Sequence, residues 1–169
     1  MPTDKFEPPD SYFYSSAEGW LELGNVAEAK LELARLKPAL QNDPAVLELR
    51  WRICVEEKRW DDGLEIGETL VHSNPERASG WLHRAYSLRR VPDGGLQKAW
   101  DALLPAAAKF PDEAIIPFNL ACYACQMQQL DTALTWLKSA IKIAGKSPIK
   151  RMAMQDPDLQ PLWTQIGAL

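Results

Sequence analysis

The chain of 169 residues has few of the side chains on which enzymes and metal sites are built: three cysteines and two histidines. A zinc site takes four ligands of these types, and no such spacing occurs here. Cys122 and Cys125 form a Cys-x-x-Cys motif, but no βαβ pattern surrounds it, as a redox motif requires. We expect both thiols to pack as small apolar side chains. An odd cysteine count without a disulfide spacing favours a reducing, cytoplasmic location.

Long apolar runs and an excess of basic residues are also missing. The net charge is −4, which favours neither nucleic acid nor an anionic membrane as a partner. No uninterrupted apolar stretch approaches the roughly 20 residues that span a bilayer. The first ten residues, MPTDKFEPPD, lack the basic start and apolar run of a signal peptide. These features predict a cytoplasmic protein that binds neither nucleic acid nor membrane.

Catalytic motifs are absent from the sequence as well. No serine lies in a nucleophile elbow, and Gly94-Gly95 is not followed by the residues of a phosphate-binding loop. An enzyme would need a site assembled from scattered side chains, which a fold alone never excludes. We therefore expect no catalytic residues, no cofactor and no metal, and an enzyme is the least favoured alternative.

Two columns of small residues repeat along the chain at an almost constant period. The first column, spaced 34, 36 and 34 residues apart, is Ala29, Gly63, Ala99 and Ala133. The second, spaced 34, 34 and 36 apart, is Ala17, Trp51, Ala85 and Ala121. A period of this size indicates one helical hairpin used several times. The two extra residues fall in the loop signal 91–95, where an insertion leaves both helix faces in phase.

The columns and the Pro and Asx punctuation between them predict eight helices. These cover about 11–22, 26–38, 44–57, 60–72, 77–90, 95–109, 113–128 and 130–144. Pro105 lies inside one of them and predicts a kink or an early break near Leu104. The expected organisation is a loose segment 1–10, four repeats (11–43, 44–77, 78–112 and 113–146) and a C-terminal cap 147–169. The cap is needed to cover the last apolar face of the array.

The columns resemble those of the tetratricopeptide repeat family over about residues 10–146. The fourth repeat is the most similar, with Leu120-Ala121, Ala133, Leu137 and Ala140. The second departs from the pattern, with Arg50-Trp51 for a leucine and a small residue, and Gly67 for a large one. The resemblance implies an all-α superhelix of four helix-turn-helix repeats with a concave groove lined by the first helices. The run 156–162 looks like the tail that closes bacterial proteins of this family, which suggests a bacterial source.

Five arginines lie on the first helices of repeats two and three: Arg50, Arg52, Arg84, Arg89 and Arg90. They could hold a partner's carboxylates, or they could pair with acids on the same helices, and the sequence leaves both readings open. By the resemblance, the groove residues proposed to bind a peptide are Arg52, Glu56, Leu82, Tyr86, Arg89, Arg90, Phe118, Cys122 and Gln126.

The predicted function is a protein-interaction module that binds a peptide or helix of acidic character in the groove. Arg52, Arg89 and Arg90 would be the charge contacts, and Tyr86 and Phe118 the apolar anchors. One alternative is a structural scaffold that forms a homo-oligomer through Trp163 or the cap, since repeat arrays have open ends. Another is a small secretion-type chaperone. The family's clamp for chaperone tails is disfavoured, because its Lys and Asn residues do not occur at matching positions.

Overall fold

The computed structural model describes residues 6–168, and these fold into ten α-helices and two short 3₁₀ segments without a β-strand. The expected all-α superhelix of helical hairpins is confirmed. No helix in this described part has both the length and the apolar composition to cross a bilayer. The helices are α1 (Asp10–Glu22), α2 (Val26–Ala34), α3 (Pro44–Glu56), α4 (Trp60–Ser73), α5 (Ala78–Leu88), α6 (Leu96–Lys109), α7 (Ile115–Gln126), α8 (Leu130–Ala144), α9 (Lys146–Ala153) and α10 (Trp163–Ala168).

The helices pair as four hairpins, and three of the four turns share one backbone geometry. In each, the residue that opens the second helix donates its N–H to a carbonyl five residues earlier. The bonds, 2.8 to 2.9 Å long, run from Asn25 to Trp20, from Arg59 to Cys54 and from Gln129 to Ala124. The preceding residue has a positive φ, which closes a helix as a C-terminal cap does. The third hairpin makes the equivalent bond across its longer loop, from Gly95 to Leu88 at 3.0 Å.

The chain packs against the helices from Phe6 onwards, inside the segment 1–10 that the sequence suggests is loose. Residues 1–5 of the segment expected to be loose lie outside the described residues. Phe6 packs edge-on against Tyr14, with ring centroids 5.2 Å apart. Asp10 is buried, accepts the backbone N–H of Lys37 at 2.9 Å and pairs with its Nζ at 3.0 Å. The bond from the Lys37 N–H holds the pKa of this carboxyl below its ordinary value. Asp10 thus ties the start of α1 to the chain that follows α2.

Two expected helix features differ in the structure. α2 ends at Ala34, not near residue 38, because Pro38 disfavours a helical conformation at Lys37, and a 3₁₀ segment (Pro38–Leu40) follows. Of the kink or early break expected near Leu104, the break is wrong, since α6 continues through Pro105 to Lys109. The Pro105 ring is exposed, and Arg84 donates a side-chain N–H to the nearby carbonyl of Ala102 at 2.7 Å. The N–H that proline lacks would have bonded to the carbonyl of Asp101, so the bond from Arg84 does not replace it.

The buried apolar side chains form two clusters, not one continuous core. The first lies within α1, α2 and α3 and includes Ala17, Leu33 and Val46. The second extends from Ala85 in α5 through the fourth hairpin to Ile166 in α10. α4 lies between them and packs against α5. We call the contact between these two helices the seam.

At the seam, two glycines let the helix backbones meet directly. A Cβ on Gly67 of α4 would lie 2.6 Å from both the Cα and the N of Arg84 in α5. A Cβ on Gly80 of α5 would lie 2.9 Å from the Cβ of Leu70 in α4. Carbon atoms pack at about 3.5 to 4.0 Å, so only hydrogen fits at these two positions. The seam is accordingly a direct contact between two helix backbones.

The departure of Trp51 from the family pattern is accommodated by the packing beside this seam. Trp51 replaces a small residue, and its indole stacks on His83 of α5 at 3.8 Å with 12° between the rings. Its N–H donates to the buried Ser87 Oγ at 3.0 Å. A Cβ on Gly63 would lie 2.9 Å from that same oxygen. The extra volume of Trp51 in the first helix is therefore matched by missing volume in the second.

A substitution at the seam tests this close approach. We expect Gly67→Ala to lower the free energy of unfolding by about 2 kcal/mol, because the new methyl group overlaps the backbone of Arg84. Gly167→Ala is the matched control, since its Cβ would meet nothing within 4 Å, and it should change stability by less than about 0.5 kcal/mol. Urea unfolding followed by circular dichroism measures both. Equal stability of the two variants would contradict the close approach.

Candidate functional site

The residues predicted to bind a partner lie on α3, α5 and α7 or directly after α5. We call this side of the four first helices, α1, α3, α5 and α7, the inner face. The structure divides this surface into two parts. The part over α5 and α7 is covered by the chain's own C-terminal segment. The part over α1, α3 and the start of α5 is open.

The segment 156–158 closes the inner face through polar contacts with α5 and α7. The guanidinium of Arg89 pairs with both carboxylate oxygens of Asp158, the bond from Nη2 to Oδ1 being 2.9 Å long. The Gln126 side-chain amide donates to the Asp158 carbonyl at 2.9 Å. The Cys122 thiol donates to Asp156 Oδ2 at 3.6 Å. The segment is thus held much as an acidic peptide would be held by this surface.

Buried apolar side chains that follow the segment 156–158 hold it against the inner face. Leu159, Leu162 and Ile166 are completely buried. Burying an aliphatic side chain of this size contributes about 1.5 to 3 kcal/mol, so displacing all three costs more than one ion pair returns. The Trp163 indole donates to the Ala153 carbonyl at 3.0 Å. This bond places the Trp163 side chain against the cap, where it is partly buried.

Four of the predicted groove residues are consequently used by the fold. Arg89 and Gln126 hold the C-terminal segment, while Phe118 and Cys122 are buried. Phe118 cannot serve as an exposed anchor, because it is only 6% exposed. Asp158 was not among the predicted residues. It lies 69 residues from Arg89, and no local sequence signal connects the two.

Arg90 is also engaged, although it lies nearer the surface. Its guanidinium lies over the Tyr86 ring, 3.6 Å from the centroid, and 5.2 Å from the centroid of Trp60. It donates to the Tyr86 carbonyl at 2.7 Å. A cation here satisfies the last carbonyls of α5 and complements the negative end of its dipole. Arg90 and Tyr86 thus stabilise the end of α5.

The remaining predicted residues, Arg52, Glu56 and Leu82, are on the open part of the inner face. Arg52 and Glu56 are exposed, and Leu82 is half-buried. Arg52 makes no ion pair within the described part of the chain, whereas nearby Glu48 accepts a hydrogen bond from Ser79 at 2.6 Å and pairs with Arg77 at 3.2 Å.

The five arginines do not converge on one site. Arg50 donates to the side-chain amide oxygen of Gln41, and Arg84 to the carbonyl of Ala102. Arg89 and Arg90 are held as described above. Of the two readings that the sequence left open, internal bonding accounts for all of them except Arg52.

One group of potential metal ligands lies at the closed end. The ligand atoms of Cys122, Asp156 and Asp158 are within 4.8 Å of one another. Burial and the neighbouring carboxylates raise the pKa of the Cys122 thiol well above its ordinary value, so it is a hydrogen-bond donor here. The guanidinium of Arg89 already neutralises Asp158. A protonated thiol and a paired carboxylate make a poor cation site, and the arrangement is better described as a hydrogen-bonded ion pair.

A double-mutant cycle tests the ion pair that closes the inner face. We expect Arg89→Met and Asp158→Asn to show a coupling free energy of about 1 to 2 kcal/mol in urea unfolding, because the pair is three-quarters or more buried. The matched control is the pair Arg59 and Asp62, which is about half exposed and should couple by less than about 0.5 kcal/mol. Additive effects of the two substitutions at Arg89 and Asp158 would show that the contact does not hold the segment.

Comparison with known proteins supports the fold and leaves the partner open. No family model matches the chain, and no curated protein matches it either. Among solved structures, TTC0263, a thermophilic TPR protein of Thermus thermophilus, is similar with a TM-score of 0.67 and 18% identity, over 95% of this chain and 100% of that one. The MamA RS-1 ArsTM double mutant has a TM-score of 0.66 and 14% identity, over 96% and 92% of the two chains. MamA AMB-1 has a TM-score of 0.61 and 17% identity, over 95% and 91%. The chain therefore has the tetratricopeptide repeat fold along nearly its whole length.

Proposed function

We propose that this protein is an interaction module that binds a peptide or a helix of another protein along the open part of its inner face. The observation that carries the proposal is the contrast between the two parts of this surface. Over α5 and α7 the polar groups bond to the chain's own segment 156–158, whereas over α3 the exposed Arg52 makes no ion pair in the described residues.

The principal contact in this proposal is a charge-assisted hydrogen bond from Arg52 to a carboxylate of the partner. A guanidinium can donate two parallel bonds to one carboxylate, which fixes orientation as well as affinity. Leu82, half-buried on the neighbouring helix, supplies apolar contact beside it. In this proposal the partner's acidic character comes down to one carboxylate that lies opposite Arg52.

Glutamates on either side restrict what else the partner carries. Glu56 follows Arg52 by one turn of α3, and Glu18 occupies the position of α1 that is equivalent to Arg52 one repeat earlier. A second carboxylate in the partner would meet these acids and be repelled, so the residues next to the first would be neutral or basic. Repulsion of this kind is a common source of specificity in binding surfaces.

The proposal includes a cytoplasmic location. Cys54, Cys122 and Cys125 are all buried and free, and burial raises the pKa of each thiol above its ordinary value. Unoxidised thiols used as small apolar side chains fit a reducing compartment.

The inner face described above offers contacts and not a reaction, so the proposed role is recognition and not catalysis.

A charge reversal at Arg52 tests the proposed site. Tagged wild-type protein and the Arg52→Glu variant would each be used to capture partners from cells of the source organism, with quantitative mass spectrometry as the readout. We expect partner recovery to fall about tenfold or more, because losing a charge-assisted hydrogen bond costs about 1.5 to 3 kcal/mol.

The matched control is Arg151→Glu, which reverses an exposed arginine in the cap, away from the inner face. This variant should recover partners as the wild type does. Equal recovery by the Arg52→Glu variant would contradict the proposal, as would an equal loss in the two variants.

A further inference from the structure

A cavity remains between the C-terminal segment and the two helices that it covers, and we call it the inner cavity. Its volume is about 310 Å³. One wall is the segment 156–158, and the others are the C-terminal end of α5 and the middle of α7. Apart from Cys122 and Pro157, every residue that lines it has a charged side chain, an amide or a phenol. A cavity of this size and polarity has room for a small polar molecule.

Tyr123 of α7 lines the inner cavity and has a hydroxyl without a hydrogen-bond partner among the described residues. The residue is only 1% exposed. In the described part of the chain, the one fully enclosed side-chain atom without a partner is Arg84 Nε, so the Tyr123 oxygen reaches accessible space. Burial raises the pKa of this hydroxyl, and the nearby charges of Arg89 and Arg90 act against that rise. A buried polar group of this kind calls for a partner from outside the chain.

Four charged side chains line the inner cavity, and two of them, Arg89 and Asp158, neutralise each other. Arg90 makes no ion pair with the described residues. It donates one N–H to the Tyr86 carbonyl, and a guanidinium has further N–H groups to donate. Asp156 accepts the backbone N–H of Asp158 at 2.9 Å and a neighbouring thiol, which are both neutral donors. One cation and one anion at the same cavity are therefore left without a charged partner.

The two remaining charges fit a ligand that carries one charge of each sign. A carboxylate alone would pair with Arg90 but lie beside Asp156, and an amine alone would have the reverse problem. A zwitterion pairs with both, and because it is neutral overall, its binding adds no net charge to a partly enclosed site. α-Amino acids are abundant zwitterions that are small enough for a cavity of about 310 Å³.

We propose that the inner cavity binds a free α-amino acid. The carboxylate of the ligand accepts hydrogen bonds from Arg90 and from the Tyr123 hydroxyl, and its ammonium group donates to Asp156. Asn119 donates its side-chain N–H to a carbonyl of its own helix at 2.9 Å, so its amide oxygen is left for the same ammonium group. Charge-assisted hydrogen bonds at both ends fix the orientation of the ligand.

A bound amino acid would connect the C-terminal segment to the helices, because Asp156 belongs to the segment while Arg90 and Tyr123 belong to the other walls. A ligand that binds only the folded chain stabilises it by mass action, so binding raises the unfolding temperature. The proposal does not depend on the partner site, since neither Arg52 nor Leu82 lines the inner cavity.

Thermal unfolding of the full chain with each of the twenty common L-amino acids at about 10 mM tests the site, followed by calorimetric titration of those that stabilise it. We expect at least one amino acid to raise the unfolding temperature and to bind. Its N-acetyl derivative lacks the ammonium charge, and its methyl ester lacks the carboxylate charge. Each derivative should bind about tenfold more weakly, because it loses one charge-assisted contact.

Two variants assign the contacts. Tyr123→Phe removes a hydroxyl without a partner in the described chain, so we expect the same stability without ligand and about fivefold weaker binding. The matched control is Tyr12→Phe on α1, where the side chain is 66% exposed and binding should not change. Asp156→Asn should abolish the preference for the free amino acid over its N-acetyl derivative, which a loss of folding alone would not do.

Circular dichroism establishes that each variant is folded. If the Asp156→Asn variant were unfolded, Arg90→Met provides the counterpart test, because it should abolish the preference for the free amino acid over its methyl ester. The proposal is overturned if no amino acid stabilises or binds the wild type, or if either derivative binds as tightly as the free amino acid. Unchanged binding by the Tyr123→Phe variant, or an equal loss in the Tyr12→Phe control, would overturn it too.

Discussion

The backbones of α4 and α5 approach so closely at Gly67 and Gly80 that no side-chain carbon fits between them. The rest of the array depends on this contact, because each buried apolar cluster belongs to one side of it. The first cluster ends in α3 and the second begins in α5. α4 connects them through its backbone contact with α5, and the hydrogen bond from Trp51 of α3 to Ser87 of α5 joins the two sides directly. A repeat array is stabilised by its neighbour-to-neighbour interfaces, so a weak seam would leave two short units.

Much of the fold was predictable because the signal was periodic. The small-residue columns recur at 34 to 36 residues, and an amphipathic hairpin must repeat its apolar stripe to bury it against each neighbour. The predicted bounds of most helices agree with the structure to within about two residues. The sequence did not predict which of the departures from this pattern pack against which other side chains. Trp51 and Gly67 each departed from the pattern, and only the packing shows that Trp51 lies beside Gly63 while Gly67 lies against the backbone of Arg84.

The candidate site was harder to predict than the fold, because the role of a groove residue depends on what else reaches it. Arg89 occupies a groove position by its place in the repeat, yet it is paired with Asp158 from the far end of the chain. Phe118 occupies another, and burial removes it from the surface. Arg52, by contrast, was predicted from its column and remains open. Position within a repeat predicts which way a side chain faces, but long-range contacts decide whether that side chain is available.

The central claim is that the seam couples the two clusters into one cooperative unit. Native-state hydrogen exchange with mass spectrometry tests it most directly, since it reports the free energy of opening for each helix. The account predicts that peptides from α4 and α5 exchange only on global unfolding, and that α1 to α3 and α7 to α10 share that same free energy. The contrary result is exchange of the α4 and α5 peptides at a lower free energy, with the two ends of the array unfolding separately.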